Sequence, residues 1–173
     1  KSDLADQEIR VPAQHFFDEK LFRLEKKTLF SDVAQPVAFS SEIPTSNSFL
    51  AIDILNIPVV LTRNEKGNLK AFINACSHRG AKVASGAGRN RRLTCEFHGW
   101  SYSMDGTLIG RPQDSCFKTD KSDCSLVELP ISESCGIVLV GLTEKVGVSP
   151  KDAGFEQIAE ELQSLRLDGF RFI

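Results

Sequence analysis

Two short segments constrain this chain more than any other feature: Cys76-Ser77-His78 and Cys95-Glu96-Phe97-His98. Sixteen residues separate His78 from Cys95, so the four side chains can act together only if two loops are folded against each other. Two thiolates and two neutral imidazoles form a ligand set for zinc or for a two-iron, two-sulfur cluster. Zinc sites of this composition usually pair like with like, with about two to four residues between cysteines and about three to five between histidines. Here each pair is mixed. A mixed pair suits a cluster in which one iron takes both cysteines and the other both histidines, because each loop then supplies one ligand to each metal. Zinc remains the alternative at this point.

The chain around these pairs reads mainly as short strands. Its first ten residues are polar, and a short helix is expected after Asp18, which can cap it, with Leu21, Leu24 and Thr28 on one face and Leu29 and Phe30 closing the segment. Phe16, Phe17 and Phe22 are expected to seat that helix on a larger body. From Val37 onward, runs rich in Val, Ile and Phe alternate with turn residues. Strands are expected over 49–55 and 57–62, with Pro58 at a strand start or edge, then a turn at 64–68 and a strand over 69–75 that delivers the first pair. Residues 91–97 deliver the second. Asp105-Gly106 marks a tight hairpin between 100–104 and 107–109. A polar loop over 114–125, strands over 126–129 and 136–142, helical spacing from Phe155 through Leu165, and a strand-like GFRFI terminus complete the pattern.

Composition excludes several classes. A net charge of -2 carries no signature of nucleic-acid binding, and no apolar run approaches the length of a membrane span. Five cysteines are too few for a disulfide scaffold and odd in number, which points to a reducing, cytoplasmic setting. The chain opens on Lys1 rather than Met, so a trimmed piece of a longer protein is expected.

The motif Cys76-x-His78-Arg79-Gly80-Ala81, then Cys95-x-x-His98-Gly99-Trp100-x-Tyr102 and Asp105-Gly106 with Leu108, closely resembles the Rieske domain of ring-hydroxylating, non-haem iron oxygenase large subunits. Flanking Asn74 belongs to the match. The resemblance implies a mainly β fold: an antiparallel Rieske-type β-sandwich with a cluster-binding subdomain at about 74–112 and short flanking helices. It implies an arm and helix over 1–36, the Rieske domain over 37–143, and a helix and strand over 144–173 leading toward a catalytic domain. Cys76 and Cys95 would hold one iron of a 2Fe-2S cluster. His78 and His98 would hold the other through the ring nitrogen nearer the backbone. Gly80 and Gly99 would permit tight loops that bring N–H groups to the sulfurs, and Trp100 would shield the cluster. The implied function is to accept an electron from a ferredoxin or flavin reductase and pass it to a mononuclear Fe(II), in the catalytic domain of the same or a neighbouring subunit of a homo-oligomer. That iron needs two histidines and a carboxylate, and no histidine follows His98. This chain alone would therefore transfer electrons and hydroxylate nothing. A self-standing Rieske ferredoxin and a zinc-stabilised interaction module are the other readings.

High-potential Rieske proteins carry an extra cysteine in each loop and a serine that bonds a sulfide. This chain has Ala81, Phe97 and Trp100 in those places, so a low potential is expected. His15 is assigned no function, and the spacings of Cys116, Cys124 and Cys135 match no second metal framework. Around the motif, Arg79, Lys82, Arg89, Arg91, Arg92 and Arg111 outnumber Glu96 and Asp105, which suggests either a solvated rim or a collar that steers an acidic donor.

Overall fold

The computed structural model describes residues 10–170. Among these residues eleven strands, all paired antiparallel, form three sheets. In chain order they are β1 (Gln35–Phe39), β2 (Ser48–Ile54), β3 (Ile57–Arg63), β4 (Leu69–Ile73), β5 (Ala87–Arg89), β6 (Arg92–Thr94), β7 (Ser101–Ser103), β8 (Leu108–Gly110), β9 (Glu128–Leu129), β10 (Ile131–Ser134) and β11 (Ile137–Val140). A five-stranded sheet runs β5-β2-β3-β4-β9, and two three-stranded sheets run β1-β11-β10 and β6-β7-β8.

The middle strand of the five explains how the layers stack. Val59, Val60, Leu61 and Thr62 of β3 are all fully buried, although side chains alternate in direction along a strand. Both faces must therefore be covered. Val59 and Leu61 join Ile43, Ala71, Val138, Val140 and Leu142 in the core shared with β1-β11-β10. Val60 joins Phe49, Phe72, Leu93, Trp100, Tyr102, Cys76 and Cys95 in a second core beneath the two ligand loops. Each apolar side chain so enclosed contributes about 1.5–3 kcal/mol relative to exposure. One strand thus anchors both the sandwich and the cluster-binding end.

Side-chain hydrogen bonds fix the β7–β8 hairpin to the same sheet. Thr62 Oγ1 donates to the Met104 carbonyl at 2.7 Å, and Asn64 Nδ2 donates to Asp105 at 2.7 Å. Gly106 turns the hairpin with φ +78°, and a Cβ built on it would lie 2.4 Å from the Phe72 ring. The turn and the packing both demand glycine there.

Helix α1 (Glu19–Glu25) is capped by Asp18, whose Oδ1 accepts from the Lys20 and Leu21 amides at 2.8 and 3.2 Å. The chain continues in wider π-type turns over Lys26–Ser31. The expected seating of this helix by Phe16, Phe17 and Phe22 does not occur: the three rings are 80%, 76% and 62% exposed. An apolar face shows only that a helix can pack, not what it packs against.

Toward the other end, 155–165 begins as a 3-10 turn (Phe155–Ile158) and becomes α-helical only in α2 (Ala159–Ser164). Leu167–Gly169 is a further 3-10 turn, and the rest of the expected GFRFI strand, 171–173, lies outside the described residues. Strand β4 ends at Ile73 rather than Ala75, because Asn74 redirects the chain. No helix among the described residues is long and apolar enough to cross a membrane.

Candidate metal centre

Asn74 forms the first loop. It is 1% exposed, and its backbone N–H donates to the Pro58 carbonyl at 2.8 Å. Its Nδ2 donates to the Ala84 carbonyl at 2.9 Å, and its Oδ1 accepts from the Val83 and Ala84 amides at 2.9 and 3.1 Å. A single amide side chain ties the outgoing limb of the loop to the returning one. The second loop needs no such tie, since it connects β6 to β7, which pair directly from Arg92–Ser103 to Thr94–Ser101.

Both loops close with the same backbone pattern. Cys76 N–H donates to the Ala81 carbonyl at 2.7 Å, and Cys95 N–H to the Trp100 carbonyl at 2.8 Å. Gly80 N–H returns to the Cys76 carbonyl at 2.7 Å, and Gly99 N–H to the Cys95 carbonyl at 2.9 Å. Both glycines sit at positive φ, +75° and +72°, which closes the loop on five residues without a Cβ penalty. Their own N–H groups are thereby committed to carbonyls.

The side chains converge. Cys76 and Cys95 are each 2% exposed and belong to one buried cluster. The His78 and His98 rings approach to 4.5 Å between centroids at 76°. His78 lies parallel to Trp100 at 5.0 Å and 8°, and edge-on to Phe117 at 6.3 Å. Trp100, 4% exposed, meets Phe117 edge-on at 5.3 Å. His98 instead lies beneath Phe97, 4.1 Å away and 66% exposed.

Two observations bear on what such a set would hold. His78 Nδ1, the ring nitrogen nearer the backbone, is buried with no hydrogen-bond partner. A buried ring nitrogen is ordinarily satisfied, so this lone pair is available to a metal. Burial, then the neighbouring His98 and Arg79, hold the His78 pKa below its ordinary value, which keeps the imidazole in its neutral, ligating form. Secondly, each loop supplies one thiol and one imidazole, the mixed pairing that suits a cluster of two irons rather than a single tetrahedral zinc.

Tyr102, quoted in the motif without a role, is fully buried, and its hydroxyl lies 3.2 Å from Cys76 Sγ. That hydroxyl accepts from the Ser77 N–H at 3.0 Å, which leaves its proton to point at the sulfur. Burial, then the hydrogen bond to Cys76, push the Tyr102 pKa upward, so the phenol stays a donor. Phe117 was hidden in a stretch that otherwise reads as polar loop, where a lone aromatic beside a metal motif is the available signal. Arg111 does not belong to the basic collar. It is buried, whereas Arg91 and Arg92 are exposed and make no ion pair among the described residues. Lys82 pairs with Asp53, and Arg89 bonds the Ser46 carbonyl. Cys116, Cys124 and Cys135 are free thiols outside the site.

The profile of the Rieske [2Fe-2S] domain matches residues 33–129. The chain belongs to the Rieske [2Fe-2S] domain family. Relatives with this domain include the anthranilate 1,2-dioxygenase large subunit of Acinetobacter baylyi, 36% identical over 83% of this chain and 31% of its own length. The carnitine monooxygenase oxygenase subunit of Escherichia coli K12 is 31% identical over 76% of this chain and 36% of its length. Among solved structures, a quaternary ammonium Rieske monooxygenase superposes with TM-score 0.82 at 27% identity, covering 90% of this chain and 43% of that one. Naphthalene 1,2-dioxygenase from a Rhodococcus species gives 0.75 at 27% identity, covering 82% of this chain and 33% of that one. The chain spans about a third of the length of the curated relatives it matches. The Rieske fold predicted from the motif is the one observed, and the antiparallel sandwich is shared with these oxygenases.

Proposed function

We propose that Cys76 and Cys95 hold one iron of the Rieske cluster, and that His78 and His98 hold the other through Nδ1. The observation that carries this is the orphaned Nδ1 of His78, buried beside two buried thiols. When bound, the 2Fe-2S group supplies a reversible one-electron store. The protein keeps both thiols buried, sets His78 between Trp100 and Phe117, and leaves the half-buried edges of His78 and His98 as the exit for electrons.

Within a whole oxygenase, this chain acts as the electron-entry domain. It accepts an electron from a ferredoxin or flavin reductase and passes it to a mononuclear iron in a catalytic domain. A related quaternary ammonium Rieske monooxygenase, 27% identical, has inter-subunit electron transfer, which supports a neighbouring subunit of a homo-oligomer as the recipient. Relatives differ in what they oxidise, anthranilate in one and carnitine in another, while sharing this domain. The free thiols fit a reducing, cytoplasmic setting. The absence of a second cysteine in each loop supports a low potential, and a clearly positive midpoint would contradict that.

Purified protein is expected to contain iron and acid-labile sulfide in equal amounts and to give a rhombic paramagnetic signal on reduction. A colourless protein containing zinc would overturn the assignment. Arg91 and Arg92 are the cations placed to steer an acidic donor. Replacing both with Gln should slow reduction by that donor and flatten its dependence on salt. An unchanged rate would remove them from the docking surface.

A further inference from the structure

We propose that Arg111 is a positioning residue for the histidine side of the site, a buried cation that fixes Trp100 against His78 and favours the reduced cluster. This rests on the ligand assignment proposed above. Arg111 is the only Lys, Arg, Asp or Glu that is buried among the described residues, and its side chain is 4% exposed. Taking a guanidinium out of water costs several kcal/mol unless its donors are met. All three of its nitrogens are engaged. Nε donates to Asp114 Oδ1, Nη2 to the Thr119 carbonyl at 2.6 Å, and Nη1 to Thr119 Oγ1 at 3.3 Å, with Cys124 Sγ at 3.9 Å.

The direction in which this cation is held is the point. Its Cζ lies 4.7 Å from the centre of the Phe117 ring and 5.8 Å from that of Trp100, within cation–π range of both. Trp100 in turn lies parallel on His78. Three groups are therefore stacked from the polar 114–125 loop to a proposed iron ligand. Planarity matters at each contact, and a lysine ammonium would not reproduce it.

The charge is only partly neutralised. Asp114 is 47% exposed and divides its carboxylate between Arg111 and Lys121, which lies 2.8 Å from Oδ2. Within this triad two cations face one carboxylate, and the loop's further charges, Lys118, Asp120 and Asp123, are exposed. The opposing solvent-side charge is screened more strongly than the buried guanidinium. An electron added behind Trp100 is stabilised by that field, so removing it should disfavour reduction.

The test uses the cluster-loaded chain and three variants: R111Q, R111K and D114N. Redox titration followed by the rhombic signal reads the potential. The emission of Trp100, the only tryptophan in the chain, reads the stack. R111Q is expected to lower the reduction equilibrium about tenfold, or ~59 mV for one electron, and to shift the Trp100 emission. R111K should restore the potential but not the emission. D114N leaves the guanidinium in place and removes its anion, so it should move the potential upward, opposite to R111Q. Mere loosening of the loop would move both in one direction, and that result overturns the proposal. So does a loaded R111Q with an unmoved potential. If R111Q fails to fold, D114N decides alone, an unchanged or lowered potential counting against. Wild-type protein lacking iron and sulfide would overturn the ligand assignment and this inference together, which separates the two failures.

Discussion

Cys76 N–H reaches the Ala81 carbonyl and Cys95 N–H reaches the Trp100 carbonyl, and a glycine at positive φ closes each loop onto its cysteine. Beyond the backbone the two loops differ. The first has its limbs tied by Asn74, its sulfur approached by the Tyr102 hydroxyl, and its histidine caged by Trp100 and Phe117. The second has its histidine beneath Phe97, a ring that is mostly solvent-exposed. The two histidines are equally half-buried, so what separates them is the neighbouring ring: an enclosed Trp100 against His78 and an exposed Phe97 against His98.

The largest expected effect removes the difference between them. Because the proposed cluster needs both loops, His78→Ala and His98→Ala should each bring iron and sulfide to near background. Retention of the cluster in either variant would show that the loops are not equivalent as ligand donors, and would break the two-plus-two assignment.

Stability should divide the rings beside the two histidines where metal content does not. Trp100→Ala removes a ring that is 4% exposed and is expected to cost about 3–5 kcal/mol, read from the midpoint of urea unfolding. The cost arises from lost burial and from the cavity left against His78 and Phe117. A cost below about 1 kcal/mol would mean that the cage collapses freely and does not hold His78 in place.

A smaller effect concerns the sulfurs. Tyr102 donates to Cys76, and among the described residues no side-chain hydroxyl is bonded to Cys95. Tyr102→Phe keeps the ring and deletes the donor. The bond strengthens as the cluster gains negative charge, so the variant should have a lower potential, by on the order of 40 mV for a net loss of about 1 kcal/mol. A redox titration with no shift would show that the hydroxyl serves the Ser77 amide alone.

This asymmetry marks the limit of what the sequence discloses. The candidate ligands were legible as a set because Cys-x-His and Cys-x-x-His are local patterns, and β3 and β4 were legible because their apolar runs are continuous and bounded by turns. Strand β5, Ala87–Arg89, is exposed throughout and carries no alternation, and β10, Ile131–Ser134, places Ser and Glu beside β11. Such edges are specified by what they pair with. Arg111 was misplaced for a related reason: charge counts along a segment cannot separate a solvated arginine from one enclosed by Phe117, Thr119 and Asp114. Phe16, Phe17 and Phe22 were misplaced in the opposite sense, an apolar face being expected to find cover that the described residues do not supply.

The smallest expected effect is the sharpest test of the exposed ring. Phe97 is 66% exposed, so Phe97→Ala should change unfolding free energy by no more than about 0.5 kcal/mol. Cluster content should also be unchanged, since only one face of the His98 ring loses a neighbour. If Phe97 is retained for contact with a partner, the variant should instead slow electron transfer to or from that partner, an effect that persists at high salt because it is not electrostatic. Salt-insensitive slowing with unaltered stability would assign Phe97 to docking. A loss of stability comparable to that of Trp100→Ala would show that Phe97 is as tightly packed as Trp100 and would erase the distinction between the two rings.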